Sequence, residues 1–245
     1  MISPQHAANP LPPVCILAGG LGTRLKGIED SLPKALIEVA GAPFIHHQLR
    51  LLARHGAERV ILCVGHLGEL VEQSVGDGAE FGLSLSCVHD PPGLAGTAGA
   101  VRGALSLLGE SFLVLYGDTY LRIDYQDFAR TFLRRELPAQ MAVLRNEGRW
   151  DTSNVEVEDH LVVSHDKTNP NPSMEWIDYG LGAFRREVFD GEAGARAGDL
   201  ADVYAALATE SRLGAYAAVR RFYEIGTPEA LAETDRFLRS IAQGG

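Results

Sequence analysis

Short apolar runs punctuate the first 145 residues, at 14–18, 60–64, 83–88, 112–116 and 140–144. The first is apolar at consecutive positions and ends in glycines, which marks a strand buried on both faces rather than on one. The stretches 43–55, 67–74, 97–108 and 125–135 carry apolar residues at helical spacing. Strands alternating with amphipathic helices predict an α/β fold: a Rossmann-like, mostly parallel mixed sheet flanked by helices.

Beyond residue 145 the pattern changes. Residues 154–157 and 161–164 read as a hairpin around Glu158-Asp159-His160, and 177–184 as a further strand. Helices are predicted at 199–210 and 228–241, with strand-like runs at 215–219 and 222–225 between them. Residues 1–12 read as a disordered leader and 13–245 as a single domain. Its second half, 146–245, supplies a lid or acceptor pocket to the first half, 13–145.

Composition narrows the chemistry. A chain of 245 residues with 46% hydrophobic content can bury a substantial core. Its net charge of −10 argues against nucleic-acid and anionic-membrane partners, which demand clustered Lys and Arg. Any polyanionic ligand must therefore be held locally. Cys15, Cys63 and Cys87 lie in apolar runs without metal-ligand spacing and read as buried thiols, which suits a reducing cytoplasm. The first residues lack the basic start and apolar stretch of an export signal, and no apolar run approaches the roughly 20 residues that cross a bilayer. The eight histidines, His46, His47 and His66 among them, show no metal spacing, and no Gly-x-Ser-x-Gly elbow supports a serine hydrolase.

The segment Leu17-Ala18-Gly19-Gly20-Leu21-Gly22-Thr23-Arg24-Leu25 follows the first predicted strand directly. In open α/β sheets ligands sit beyond the carboxyl ends of strands. Glycines let backbone N–H groups approach phosphate oxygens, and Arg24 adds a forked, permanently charged donor. Two commoner phosphate motifs fail. A dinucleotide fingerprint starting at Gly20 and Gly22 needs glycine where Leu25 stands, and a P-loop starting at Gly22 meets Ile28-Glu29 where Lys and Ser or Thr are required.

The loop is followed by Pro33-Lys34-Ala35-Leu36. Together the two segments resemble the signature of sugar-1-phosphate nucleotidyltransferases, most nearly the heptose-1-phosphate and mannose-1-phosphate branch. The resemblance covers residues 14–240. It implies that Leu17, Ala18, Gly19, Gly20, Gly22, Thr23 and Arg24 wrap the nucleotide, with Arg24 on the leaving pyrophosphate and Lys34 near the α-phosphate. Leu94-Ala95-Gly96-Thr97-Ala98-Gly99-Ala100 resembles a family segment that meets the base, so Gly96 and Thr97 are base-side candidates; Ala95 is an extra residue in the usual wording. Gly-Thr before an Ala-rich run is also an ordinary helix start.

Tyr116-Gly117-Asp118-Thr119 ends a predicted buried strand and resembles the family's Gly-Asp magnesium site, which makes Mg2+ the implied cofactor. Asp after a strand is also a common turn former. Asp166-Lys167 resembles a Glu-Lys pair whose lysine holds the sugar phosphate. Asn154 and Tyr179 are candidates for sugar hydroxyls, although a buried Tyr also serves as core. Phe222-Tyr223-Glu224-Ile225-Gly226-Thr227-Pro228-Glu229 resembles a carboxylate-Ile-Gly-Thr-Pro-Glu segment with Glu224 where Asp is usual; it reaches the metal directly, through water, or serves structure alone, with Pro228 in a first helical turn.

The reaction implied is direct attack by an acceptor phosphate on the α-phosphorus of a nucleoside triphosphate, with GTP and a heptose or mannose 1-phosphate as first choice. Partners are those two small molecules, with a homo-oligomer left open. Competing readings are a phosphocholine or phosphonate cytidylyltransferase, whose acceptor pocket needs aromatic faces for a quaternary amine, and a silent nucleotide-sugar-binding regulatory subunit.

Overall fold

The computed structural model describes residues 10–20, 32–90 and 96–243. The first half runs β1 (Val14–Leu17), a ribbon of β2 (Glu38–Val39) and β3 (Ala42–Pro43), α1 (Phe44–Arg54), β4 (Arg59–Val64), α2 (Gly68–Val75) and β5 (Ser84–His89). It continues through α3 (Gly96–Leu108), β6 (Ser111–Tyr116), β7 (Thr119–Tyr120), α4 (Tyr125–Arg134) and β8 (Ala139–Arg145). The second half adds β9 (Val155–Glu158), β10 (Leu161–His165), β11 (Trp176–Arg185), α5 (Glu187–Asp190), α6 (Glu192–Ala195) and α7 (Leu200–Thr209). It closes with β12 (Leu213–Ala218), β13 (Tyr223–Glu224) and α8 (Pro228–Ala242).

Nine strands form one mixed sheet in the order β5-β4-β1-β6-β11-β8-β12-β10-β9. The block β5-β4-β1-β6 is parallel throughout, as consecutive strand–helix units require. β11 then enters antiparallel to both β6 and β8. The sheet therefore runs unbroken across residue 145, because a second-half strand separates two first-half ones. The run at 222–225 does not join it: β13 pairs with β7 in a separate two-residue ribbon.

Burial on both faces follows from the consecutive apolar residues. Val14 and Ile16 point into a layer with Ile45, Leu49, Val71 and Phe128 from α1, α2 and α4. Cys15 points the opposite way, among Val101, Leu105, Val203 and Leu207 from α3 and α7. Cys87 is only half-buried, because β5 is an edge strand. A third, smaller cluster of Val39, Phe44, Tyr120, Ile225 and Leu238 seats α8 under the β7–β13 ribbon.

One boundary shifts. Leu11 falls within the leader expected over residues 1–12, yet it is 6% exposed, packs in the first core layer and donates its N–H to the Gly56 carbonyl at 3.3 Å. An apolar side chain with a place in the core extends the ordered chain to meet it. Residues 1–9 lie outside the described residues.

Candidate active site

The strands of the parallel block end on one edge, and their backbones pack closely there. Ala18 donates its N–H to the Cys63 carbonyl (2.8 Å), and Gly117 to the Leu17 carbonyl (3.0 Å). A Cβ on Gly117 would sit 2.6 Å from the Leu17 oxygen, and one on Gly19 would sit 2.7 Å from the Asp90 carboxylate and 3.1 Å from the Gly65 nitrogen. Glycine is thus a steric requirement where β1 leaves the sheet, and it pins Leu17 to Gly19 between β4 and β6. Gly20 is exposed; Gly22, Thr23 and Arg24 lie outside the described residues.

Asp90, one residue past β5, was not singled out by sequence reasoning. Its N–H bonds to the Val64 carbonyl at 2.9 Å, so its carboxylate is brought over Gly19 and Gly65. Burial holds its carboxyl above the usual range, partly offset by His89. Its position after a strand at the ligand edge was the available signal.

Lys34 opens a single 3-10 turn (Lys34–Leu36) and reaches Asp118 beyond β6: Nζ lies 2.8 Å from Oδ2, with the lysine side chain 15% exposed. The β7–β13 ribbon brings in Glu224. Glu224 stands opposite Thr119, and the Ile225 N–H donates to the Asp118 carbonyl at 3.1 Å. The Gly226 N–H donates to Glu224 Oε2 at 3.1 Å, and a Cβ on Gly226 would lie 3.4 Å from Lys34 Nζ. Burial and then the charge of Asp118 push the Glu224 carboxyl up, against the opposing pull of the Gly226 N–H and Lys34. Two like charges crowded beside one cation leave room for more positive charge.

From this cluster a cleft of about 1060 Å³ extends into the second half, walled by Asp118, Glu224, Asn154, Lys167, Trp150 and Arg221 among others. Lys167 Nζ lies 2.8 Å from the buried Asp178 carboxylate and 5.2 Å from the centre of the Tyr116 ring. Asn154 spends its side-chain oxygen on the Asp178 N–H (2.9 Å). Tyr179 also borders the cleft, but its ring is core, set edge-on against Phe222 at 5.8 Å.

Gly96 and Thr97 serve a helix joint. The Thr97 N–H and hydroxyl both donate to Asp199 Oδ1 at 3.1 Å, and the Leu200 N–H donates back to the Thr97 oxygen at 2.8 Å. The N-termini of α3 and α7 thus cap one another, each meeting donors that a helix start leaves unpaired. Gly96 has φ +63, and a side chain on it would run into the Gly198 backbone. Among the described residues no group of three or more His, Cys, Asp or Glu side chains is arranged to hold a metal, and no helix is long and apolar enough to cross a membrane.

Known proteins resemble this chain in sequence and in fold. An N-acetylmuramate alpha-1-phosphate uridylyltransferase of Neisseria meningitidis is 29% identical over 89% of this chain and 94% of its own length. A mannose-1-phosphate guanylyltransferase of Mycobacterium tuberculosis is 30% identical over 87% of this chain, which spans 61% of that protein. The structure of the inositol-1-phosphate CTP transferase from T. maritima superposes with a TM-score of 0.79 at 19% identity, covering 97% of this chain and 98% of that one, a likeness of fold. The model of the nucleotidyl transferase family matches residues 14–240, and the chain belongs to that family of enzymes.

Proposed function

We propose that this enzyme transfers a nucleoside monophosphate from a nucleoside triphosphate to a sugar 1-phosphate, forming a nucleoside diphosphate sugar and pyrophosphate. The observation that carries the reading is the meeting of Lys34, Asp118 and Glu224 at the ligand edge, beside a cleft with a second lysine, Lys167. An oxygen of the acceptor phosphate attacks the α-phosphorus, and the bond to the pyrophosphate oxygen breaks in line with the one that forms. The acceptor phosphate is already anionic near neutral pH, so no protein base or nucleophile is needed. Lys34 and Arg24 offset charge on the α-phosphate and the leaving pyrophosphate, and Lys167 holds the acceptor phosphate.

The donor set at Asp118 and Glu224 fits a hard cation such as Mg2+. Both offer carboxylate oxygens, and the Glu224 carboxyl is raised by burial first and by the charge of Asp118 second, both of which a bound cation would offset. Two protein carboxylates suit an ion that shares its shell with phosphate oxygens and water. Bound there, Mg2+ would supply positive charge to the triphosphate.

GTP with a mannose or heptose 1-phosphate is the favoured pair. Asp90 supports guanine: its carboxylate overhangs Gly19 in the loop that wraps the nucleotide in this reading, and guanine offers N1–H and N2–H as adjacent donors. Uracil and thymine offer one N–H flanked by two carbonyl oxygens that a carboxylate repels. The M. tuberculosis relative, by name, acts on the same kind of pair. A quaternary-amine acceptor is disfavoured because the Arg221 guanidinium stacks on Trp150 at 4.1 Å, taking an aromatic face that such a cation would need. A grid of nucleoside triphosphates against mannose, heptose, glucose and N-acetylmuramate 1-phosphates and phosphocholine, read by pyrophosphate release, tests the reading. Turnover with a sugar 1-phosphate and GTP is expected. Turnover with phosphocholine alone overturns it, and no pyrophosphate from any pair favours a silent binding subunit.

A further inference from the structure

Lys167 is a flexible side chain at the rim of an open cleft, 41% exposed, yet its ammonium is fixed on two sides. The Asp178 carboxylate holds it at 2.8 Å, and the Tyr116 ring lies under it with its centre 5.2 Å away. Asp178 itself is 2% exposed and sits in β11, at the middle of the nine-stranded sheet. A carboxylate in that position is costly, and apolar residues often replace buried charged groups without loss of stability. Stability therefore does not explain it.

The backbone around Asp178 is shaped to aim it. The pairing of β11 with β8 slips register between Asp178 and Gly182. Within that slip Gly180 has φ +90, and its N–H donates to Asp178 Oδ1 at 2.9 Å. A side chain on Gly180 would press on Thr119 and the Tyr116 ring, both 3.2 Å from the position of a Cβ. Asn154 fixes the other side by accepting the Asp178 N–H at 2.9 Å. Such irregularities re-aim side chains beside active sites. Burial pushes the Asp178 carboxyl up, but Lys167, His165 and the Gly180 N–H together hold it below its usual value, so it stays an anion.

We infer that Asp178 is the positioning residue for Lys167, holding its ammonium by charge at 2.8 Å so that it faces the acceptor phosphate in the cleft. The inference rests on the reading that Lys167 serves that phosphate. Asp178 itself touches no substrate. Tethering removes rotamer freedom that a four-carbon stem would otherwise lose on binding, so the acceptor meets a preformed site.

Two measurements on Asp178→Asn, Lys167→Ala and the double variant test this. The first is the KM for the sugar 1-phosphate that turns over, against the KM for the triphosphate. Asp178→Asn should raise the acceptor KM about three- to tenfold and leave the triphosphate KM and kcat within about twofold, with the double variant no worse than Lys167→Ala. The second needs no turnover: acetylation of Lys167 by acetic anhydride, followed by mass spectrometry with inorganic phosphate as competitor. The chain has only two other lysines, Lys26 and Lys34, so modification maps cleanly. Labelling of Lys167 should be at least about threefold faster in Asp178→Asn and less well protected by phosphate. Wild-type labelling and acceptor KM in Asp178→Asn would overturn the inference, as would equal rises in both KM values. An unchanged acceptor KM in Lys167→Ala would overturn the Lys167 reading, and this inference with it; a raised KM there alone overturns only the role of Asp178. If Asp178→Asn loses its fold by circular dichroism, Asp178→Glu keeps the charge but shifts it by a methylene, and an unaltered labelling rate there sinks the claim.

Discussion

The two halves of the candidate site are built from different materials. At the end of the parallel block the described site is largely backbone: Gly19, Gly65 and Gly117 bring strand ends into contact that no side chain would permit. Towards the second half the same sheet turns antiparallel, and the cleft is walled by charged side chains in fixed pairs: Lys167 with Asp178, and Arg221 with Glu233 at 2.6 Å. Backbone fixes geometry and tolerates little substitution. Side-chain pairs set charge and reach, and they change without disturbing the strands beneath.

Between the halves stands the Lys34–Asp118–Glu224 cluster, and the largest effect is expected there. Lys34→Ala should lower kcat/KM by about 100-fold, roughly 2.7 kcal/mol of transition-state stabilisation, with the fold retained. Pyrophosphate-release kinetics check it. Activity within a few-fold of wild type would mean that the 2.8 Å pair with Asp118 is structural only.

The backbone side should fail in stability instead. In Gly117→Ala the new methyl would meet the Leu17 oxygen at 2.6 Å and the Ala18 Cα at 3.0 Å, both main chain. A destabilisation of about 2–3 kcal/mol is expected in urea titrations. Arg221→Ala on the opposite wall removes a guanidinium stacked 4.1 Å from Trp150 and 4.6 Å from Tyr223 and should cost less, roughly 1 kcal/mol. Equal losses in the two variants would erase the contrast between a backbone-built and a side-chain-built wall.

The same contrast explains what was legible in the sequence. Consecutive apolar residues at 14–17 and 60–64 meet helices on both faces, so strand and helix positions in the first half follow from pattern alone. The glycine motif and the strand-end Asp118 are local and were readable. Pairings across the fold were not: nothing in the spacing says that Asn154, Lys167 and Asp178 converge, or that Thr97 caps α7 through Asp199. Those depend on β11 entering antiparallel between β6 and β8, a choice of topology rather than of local pattern. Asp90 was overlooked for a related reason, since its meaning comes from Gly19 and Gly65 beneath it.

The smallest effect expected, and the one of opposite sign, concerns Glu224. Burial and the charge of Asp118 hold its carboxyl above the usual value. A carboxyl raised on folding contributes stability while protonated, fully below its unfolded value, and that contribution is lost as pH rises through the raised one. At neutral pH without divalent cations, ionised Glu224 therefore strains the folded chain. Glu224→Gln removes the charge and nearly keeps the shape, although it weakens the acceptor of the Gly226 N–H. In EDTA at neutral pH its Tm should exceed that of the wild type by roughly 1–3 °C. The gain should vanish below about pH 4, where both chains are uncharged at this position. Adding magnesium should stabilise the wild type more than the variant, reversing the order, because only the wild type offers both carboxylates. Thermal melts across pH, with and without magnesium, test all three steps. A variant less stable than wild type in EDTA at neutral pH would return Glu224 to a structural role, as the anchor of the turn that starts α8.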